Sequence, residues 1–572
     1  MQIIVLDTLC ARHPDSPYAV TPTVGEAVHE GTVSGVTVLG GEDAPGQDGP
    51  GQDGPGQDGP GQDGPGDWPG LVRRVPVRGT RQRLRALAAA LREEAGRVLV
   101  VDCSCAIRPE TLAAFANLAT STALVTDRRD LPVRAGAVVR HEGRAPLVLD
   151  RLAAPDDRCE DGETFGYLGS AMLLNADRTA LADILDARPG PPSWRVALGR
   201  LARRVRVQCA VLAQDIHGHD IVVENRLAGG SYARTYVHLH RQGRRIVRKE
   251  AFGEGQDKLS EEIGWLRGLD DSARRHFPDV VEHRIETRGA SMDLHYHPLP
   301  TLRGLILSGA IDEEEAALWA RRILAVVKRD LYPAGERDVP EDYIRRTHLD
   351  RVARRLAETA AALPHRHRLW EAERVRVNGV WLRNVRHVVA DLGRDERMLG
   401  LLTPRRLLRT HGDLHFDNVL IDRSNHRFLL IDPRGNPGYD VAYDLGKVWH
   451  SVNSLYDLIH GGHVEVTVGE TEIDYTLTSP ELVAFYRAVR RRLYHWLTAT
   501  HWHRGEPHWL LKVRLAEAAH MCSVMPFHIA HDERETVALA CYARGVELIN
   551  ELYGDLAEEA GRRTGTRLAP VS

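Results

Sequence analysis

The residues best suited to chemistry stand in one run, HGDLHFDNVLIDRSNHRFLLIDPRG, from 411 to 435. Asp413 can accept a proton from an attacking hydroxyl, or orient it. Asn418 supplies a neutral oxygen suited to Mg²⁺, and Asp432 a charged oxygen for the same cation. Hard oxygen ligands beside a potential base suggest metal and phosphate chemistry.

The elements that must position these groups are two short apolar runs, VLID and FLLID, joined by the polar turn DRSNHR. Asp413 and Asp432 are 19 residues apart, which is room for two strands and a turn. A hairpin brings both ends to one place, and so brings the three oxygens together. Upstream, LAGGSYARTYV places Gly229, Gly230 and Ser231 at a turn between two strands, where small residues let backbone N–H groups approach a phosphate. Lys249 ends an alternating strand in RRIVRKEA, and Glu262 follows on the amphipathic pattern DKLSEEIGWLRGL. A strand lysine facing a helix glutamate is the pair that orients nucleotide phosphates in kinase-like sites.

At 572 residues the chain exceeds what one core supports, so several domains are expected. Its 75 basic and 79 acidic residues nearly balance, which gives no field to recruit nucleic acid or an anionic membrane. Without a run of about 20 apolar residues, a membrane span is not expected. The opening MQIIVLDTLC reads as a buried strand rather than a leader, so a cytoplasmic protein is expected. Seven scattered cysteines, an odd number, suit reduced thiols. Cys103 and Cys105 read as small residues on a buried strand rather than metal ligands.

Four tandem GQDGP units, 46–65, form a disordered insertion or surface loop by composition. Around them, residues 1–214 alternate strand and helix patterns, which predicts an α/β layer with mostly parallel strands. Residues 215–300 read as an antiparallel meander, a helix and a further strand, a small β-rich lobe. From 301 to 555 helical patterns dominate around the two strands of the opening run, and 556–572 is a tail.

HGDLHFDNVLID followed by LLIDPRG resembles the signature of the aminoglycoside phosphotransferases and choline kinase-like enzymes, relatives of the protein kinases. The resemblance covers about residues 215 to 555. It implies a two-lobed, α+β protein-kinase-like fold and Mg²⁺- and ATP-dependent phosphorylation of a small-molecule hydroxyl. It implies Asp413 as catalytic base, Asn418 and Asp432 as Mg²⁺ ligands, and Lys249 on the ATP phosphates, paired with Glu262. The connector Leu294 to Leu299 would receive adenine. Pro433-Arg434-Gly435 departs from the Phe-Gly that follows the metal aspartate in protein kinases. The next segment, PGYDVAYDLGKVWHS, resembles phosphotransferase-like proteins of polysaccharide and other small-molecule pathways. In it Asp444 reads as a brace of the helical lobe, and His411 and His415 as structural supports of the loop.

The first 214 residues more faintly resemble sugar-phosphate or alcohol-phosphate nucleotidyltransferases, a Rossmann-like α/β class. Asp102 stands where such folds carry a metal aspartate. The first loop, DTLCARHPDSPY, lacks a glycine-rich phosphate cradle, so a degenerate, non-catalytic domain is preferred. The expected function is phosphoryl transfer from ATP to a sugar, amino alcohol or aminoglycoside-like metabolite. Two alternatives are a bifunctional kinase and nucleotidyltransferase, and a nucleotide-binding regulatory protein without turnover. The acceptor and the oligomeric state are not legible.

Overall fold

The computed structural model describes residues 2–5, 35–40, 72–76, 79–93, 97–101, 120–126, 136–140, 148–153, 164–191, 193–214, 220–227, 233–239, 245–287, 289–435, 438–532 and 535–564. The GQDGP units, Asp102, Cys103, Cys105 and the connection holding Gly229, Gly230 and Ser231 lie outside them. The chain divides into two compact units. One comprises 1–229, 234–250 and 293–296; the other comprises 230–233, 251–292 and 297–572.

The first unit is a mixed sheet with helices. Its strands are β1 (Gln2–Val5), β2 (Gly35–Gly40), β3 (Val72–Pro76), β4 (Val98–Val101), β5 (Thr122–Thr126), β6 (Gly136–Arg140), β7 (Val148–Ala153), β8 (Thr164–Leu173), β9 (Gln208–Gln214), β10 (Asp220–Leu227), β11 (Arg234–Leu239) and β12 (Arg245–Ala251). The helices are α1 (Gly79–Glu93), α2 (Asn175–Asp186) and α3 (Trp194–Ala202). Neighbours run β12-β11-β10-β9-β7-β6-β8-β4-β1-β2-β3, with β5 paired to both β8 and β9. β1 to β4 pair in parallel, as the alternating sequence predicts. β8 joins β4, β5 and β6 antiparallel, so the sheet is mixed rather than mostly parallel. β10, β11 and β12 form the antiparallel meander read from the sequence. β4 and β5 are buried at every residue, so their sequences are unbroken apolar or small runs without alternation. Leu87, Leu91, Leu181 and Leu198 from the helices complete this core.

The second unit opens with α4 (Glu254–Arg267), whose Leu259, Ile263 and Leu266 are buried at helical spacing. The strands β13 (Val280–Glu286) and β14 (Gly289–His295) follow, and the last residues of β14 fall in the first unit. The helical part contains α5 (Glu313–Val326), α6 (Asp350–Ala362), α7 (Val385–Leu392), α8 (Glu396–Leu402), α9 (Val441–Val452), α10 (Pro480–Ala499), α11 (Trp509–Met521), α12 (Met525–Asp532) and α13 (Glu535–Thr564). Asp312 caps α5 by accepting from the Glu314 and Glu315 amides, and three glutamates occupy its first turn against the positive end of the helix dipole. α9 packs on α11 at Gly446, where a Cβ would stand 2.5 Å from that of Ala516. That close approach holds α9 rigidly in the core.

Two β elements interrupt the helices. β17 (Val419–Asp422) and β18 (Arg427–Leu430) make the predicted hairpin, with Val419 opposite Leu430. A four-stranded sheet was not anticipated: β15 (Arg374–Val377), β16 (Val380–Arg383), β19 (Val464–Val468) and β20 (Glu472–Leu477), ordered β16-β15-β20-β19. Its period-2 pattern in VEVTVGETEIDYTL is readable. The pairing of β15 with β20, nearly a hundred residues on, is a tertiary event that local pattern cannot announce.

Candidate active site

The hairpin gathers the expected metal ligands. Asn418 immediately precedes β17, and the Ile431 amide donates to its carbonyl at 3.0 Å, which places Asp432 next in line across the hairpin mouth. Asn418 is 7% exposed and its Nδ2 donates to the Asp413 carbonyl at 2.9 Å. That bond ties the asparagine to the proposed base and leaves Oδ1 as the end able to face a cation. Asp432 has a left-handed backbone, φ 57°, an uncommon conformation for a residue with a side chain. It turns the chain sharply where the strand ends.

One face of α9 holds the loop 411–418. Asp440 caps the helix, accepting from the Tyr443 amide at 3.2 Å. Asp444 accepts from the amides of His411 at 3.0 Å and Gly412 at 2.7 Å, and from the Tyr332 hydroxyl at 3.2 Å. Three residues on, Lys447 Nζ lies 2.7 Å from Asp413 Oδ1. Ser451 Oγ accepts from the Phe416 amide at 3.2 Å. Positions 444, 447 and 451 share a helix face, so one rigid element fixes the loop at three successive points. Asp417 is pinned separately, by the Thr301 hydroxyl at 3.0 Å and Arg303 at 3.4 Å.

The electrostatics follow from these contacts. Burial alone would raise the Asp413 carboxyl, but Lys447, His415 and Arg434 outweigh it and hold the group well below the usual carboxylate range. His415 Nε2 is 3.8 Å from Asp413 Oδ2. Asp444 shows the opposite balance: burial pushes its carboxyl up to about 7 despite the amide donors. Burial lowers His411 to about 4, so its ring is neutral at physiological pH. The Asp413 amide donates to His411 Nδ1 at 3.2 Å, which places the ring proton on Nε2, and the ring stacks on Phe277 at 6.0 Å. His411 therefore sets the backbone course at Asp413 as an uncharged acceptor.

The segment Pro433-Arg434-Gly435 is built into the same frame. The Arg434 amide donates to the His411 carbonyl at 2.9 Å, and its Nη1 donates to the Tyr443 hydroxyl at 2.6 Å. Gly435, φ 72°, meets α4 so closely that a Cβ would stand 2.5 Å from the Glu262 amide nitrogen. The chain needs glycine there both for the conformation and for the space. Glu262 thus sits on the stretch of helix that touches the turn after Asp432.

The structure brings Asp413, Asn418 and Asp432 together around the hairpin mouth and places Glu262's backbone against Gly435. Lys249 lies in β12, opposite Thr235 and 5% exposed, in the first unit, while Glu262 belongs to the second. A 5% exposure is unusual for a surface lysine. Lys447 was missed by the sequence reading. Its signal was the spacing Asp444, Lys447, Ser451, one face of a predicted helix, which means nothing until that face has a partner.

The Asn418 and Asp432 oxygens are hard donors without sulfur or nitrogen, a set that fits Mg²⁺, which takes few protein oxygens and completes its shell with water and phosphate. Among the described residues no group of three or more His, Cys, Asp or Glu could hold a metal ion.

Residues 223–462 match the model of the phosphotransferase enzyme family, APH. No curated protein matches the chain. Among solved structures it is similar to a candidate fructosamine-3-kinase from Haemophilus somnus 129PT, at 11% identity and TM-score 0.34, covering 57% of this chain and 90% of that one. It is similar to another from Thermobifida fusca YX-ER1, at 16% identity and TM-score 0.30, covering 56% and 92%. A candidate glucose-1-phosphate thymidylyltransferase from Bacillus anthracis is similar at 10% identity and TM-score 0.26, covering 38% and 90%. Among the described residues no helix is long and apolar enough to cross a membrane.

Proposed function

We propose that this protein transfers the γ-phosphoryl group of ATP to a hydroxyl of a small molecule, with Asp413 as base and Asn418 and Asp432 as Mg²⁺ ligands. The observation that carries the reading is the loop 411–418 held at three points by α9, with a partly buried lysine on Asp413 and two oxygen ligands at the adjoining hairpin mouth. The family match over 223–462 supports it.

The chain's own groups would act by position and charge. Asp413, kept ionised by Lys447, accepts the hydroxyl proton as the acceptor oxygen bonds to the γ-phosphorus and the bond to the β,γ-bridging oxygen breaks, releasing ADP. Lys447 supplies positive charge where negative charge gathers on the transferred group. Mg²⁺, when bound, neutralises phosphate charge. Lys249 and Glu262, and the glycines and serine at 229–231, keep the phosphate-binding roles that the sequence resemblance implies.

The test is ADP production with Mg²⁺-ATP across sugars, amino alcohols and aminoglycosides. Asp413→Asn should lower turnover by about three orders of magnitude or more, within the range of an essential acid–base group, with an unchanged melting profile. Wild-type turnover in that variant would end the assignment.

A further inference from the structure

Arg351, on α6, is 8% exposed. Its Nη1 donates to the Tyr443 hydroxyl and its Nη2 to His520 Nδ1 at 3.2 Å, while its Nε is buried without a hydrogen-bond partner. Among the described residues no carboxylate forms an ion pair with it. Buried cations are ordinarily matched by carboxylates, because an uncompensated charge in the interior is costly. Here the matching group is a phenol.

The surroundings are rich in donors. Arg434 Nη1 reaches the same Tyr443 oxygen at 2.6 Å, so two guanidinium groups converge on one hydroxyl. His520 Nδ1 is used as an acceptor, so its Nε2 carries the proton, and that atom is buried without a partner. His520 packs on Tyr443 with ring centroids 4.7 Å apart, and His450 lies 6.1 Å from His520. Two buried donors therefore lack acceptors beside an unmatched charge, the condition in which an ion or ligand group is the expected missing partner. The nearby acids are committed elsewhere: Asp444 to the His411 and Gly412 amides, Asp440 to Tyr343 and the start of α9. Tyr443 and Lys447 are four residues apart on α9, about 6 Å between Cβ atoms. Lys447 in turn touches Asp413.

The geometry points to an oxyanion subsite formed by Arg351, Arg434, Tyr443 and His520, which receives a phosphate or carboxylate group of the acceptor while the acceptor hydroxyl meets Asp413. The substrate class is therefore an anionic hydroxy compound, such as a polyol or sugar bearing a phosphate or acid group. A polycationic aminoglycoside would bring ammonium groups against Lys447 and two guanidiniums. The inference rests on the phosphotransferase reading for the hydroxyl, but the anion subsite itself can be measured without turnover.

The experiment has a binding arm and a kinetic arm. In the first, melting temperature is followed with glycerol, glycerol 3-phosphate and inorganic phosphate in wild type, Asp413→Asn, Arg351→Met and Arg351→Lys. Glycerol 3-phosphate should raise the melting temperature of wild type and Asp413→Asn, Arg351→Met should abolish the shift, and Arg351→Lys should restore part of it. Equal shifts in wild type and Arg351→Met overturn the subsite. A shift with inorganic phosphate that glycerol 3-phosphate does not reproduce assigns the site to free phosphate and also overturns it. In the second arm, KM is compared for paired neutral, anionic and cationic acceptors. The anionic member should have a KM at least tenfold lower, and Arg351→Met should raise that KM tenfold or more with the KM for ATP unchanged. A raised KM for ATP instead, or preference for the cationic acceptor, overturns the assignment. Turnover lost in Asp413→Asn with phosphate-ester binding retained separates failure of the subsite from failure of the kinase reading.

Discussion

Lys447 Nζ lies 2.7 Å from Asp413 Oδ1, so the proposed base of this protein is paired with a lysine delivered by a helix 34 residues downstream. The pair accounts for a partly buried carboxyl that stays ionised, and it places a positive charge where the transferred group would pass. Four predictions follow from it and from the contacts around it.

Lys447→Met removes the charge that outweighs burial at Asp413, so the carboxyl should rise. A base whose folded value is depressed is ionised throughout the neutral range; in the variant the acid limb of kcat/KM should move up by about one pH unit or more. Turnover at neutral pH should fall by about two to three orders of magnitude. Lys447→Arg should recover part of it. An acid limb that does not move would show that another group keeps Asp413 ionised.

Asp444 gives a pH-dependent stability. Its carboxyl is raised in the folded protein to about 7, above an unfolded value of about 4. The folded state therefore binds the extra proton between these values, and the contribution is full below about pH 4 and lost as pH rises through 7. Asp444→Asn removes this dependence, so its penalty relative to wild type should shrink by about 1.4 kcal/mol per pH unit across that window. Denaturant titrations at pH 5 and pH 7 check it; a penalty that grows with pH would contradict the assignment.

Gly435→Ala should cost more than a backbone penalty, because the added Cβ meets the Glu262 amide at 2.5 Å. Gly462→Ala is the matched control, with φ 81° and open space around the Cβ. The control should lose about 1 kcal/mol for the left-handed conformation alone. Gly435→Ala should lose about 2–4 kcal/mol and raise the KM for ATP, since the displaced turn carries Asp432 and touches the helix bearing Glu262. Equal losses in the two variants would show that the contact with α4 adds no cost of its own.

Chelation should stop ADP production and added Mg²⁺ should restore it. Asn418→Ala and Asp432→Asn should each raise the Mg²⁺ concentration for half-maximal rate by about tenfold or more. The Asn418 variant should also lower kcat at saturating Mg²⁺, because its Nδ2 bonds the Asp413 carbonyl. If both variants respond to Mg²⁺ as wild type does, the cation sits elsewhere.

Much of this was legible along the chain. The run 411–435 declares its hairpin by two apolar stretches around a polar turn, and the register Val419 to Leu430 is the one those stretches require. α4 and α5 declare themselves by apolar spacing and, in α5, by an aspartate cap and acidic first turn. Local pattern sufficed there because the physics is local: a strand pair joined by a short turn, and a helix whose face and ends are set by adjacent residues.

The remainder required the tertiary structure. Asp444 reads as a brace in the sequence, but only the fold shows its two oxygens on the amides of His411 and Gly412. The β15–β20 pairing, the close approach of Gly435 to α4, and Arg351 meeting Tyr443 and His520 all join residues nearly a hundred or more positions apart. Sequence by itself determined the oxygen-bearing residues proposed for phosphate chemistry and the hairpin that flanks two of them. The tertiary structure alone decided which cation stands against Asp413 and that Arg351 meets a phenol and an imidazole rather than a carboxylate, because charge pairing depends on distance through space, and no spacing along the chain encodes it.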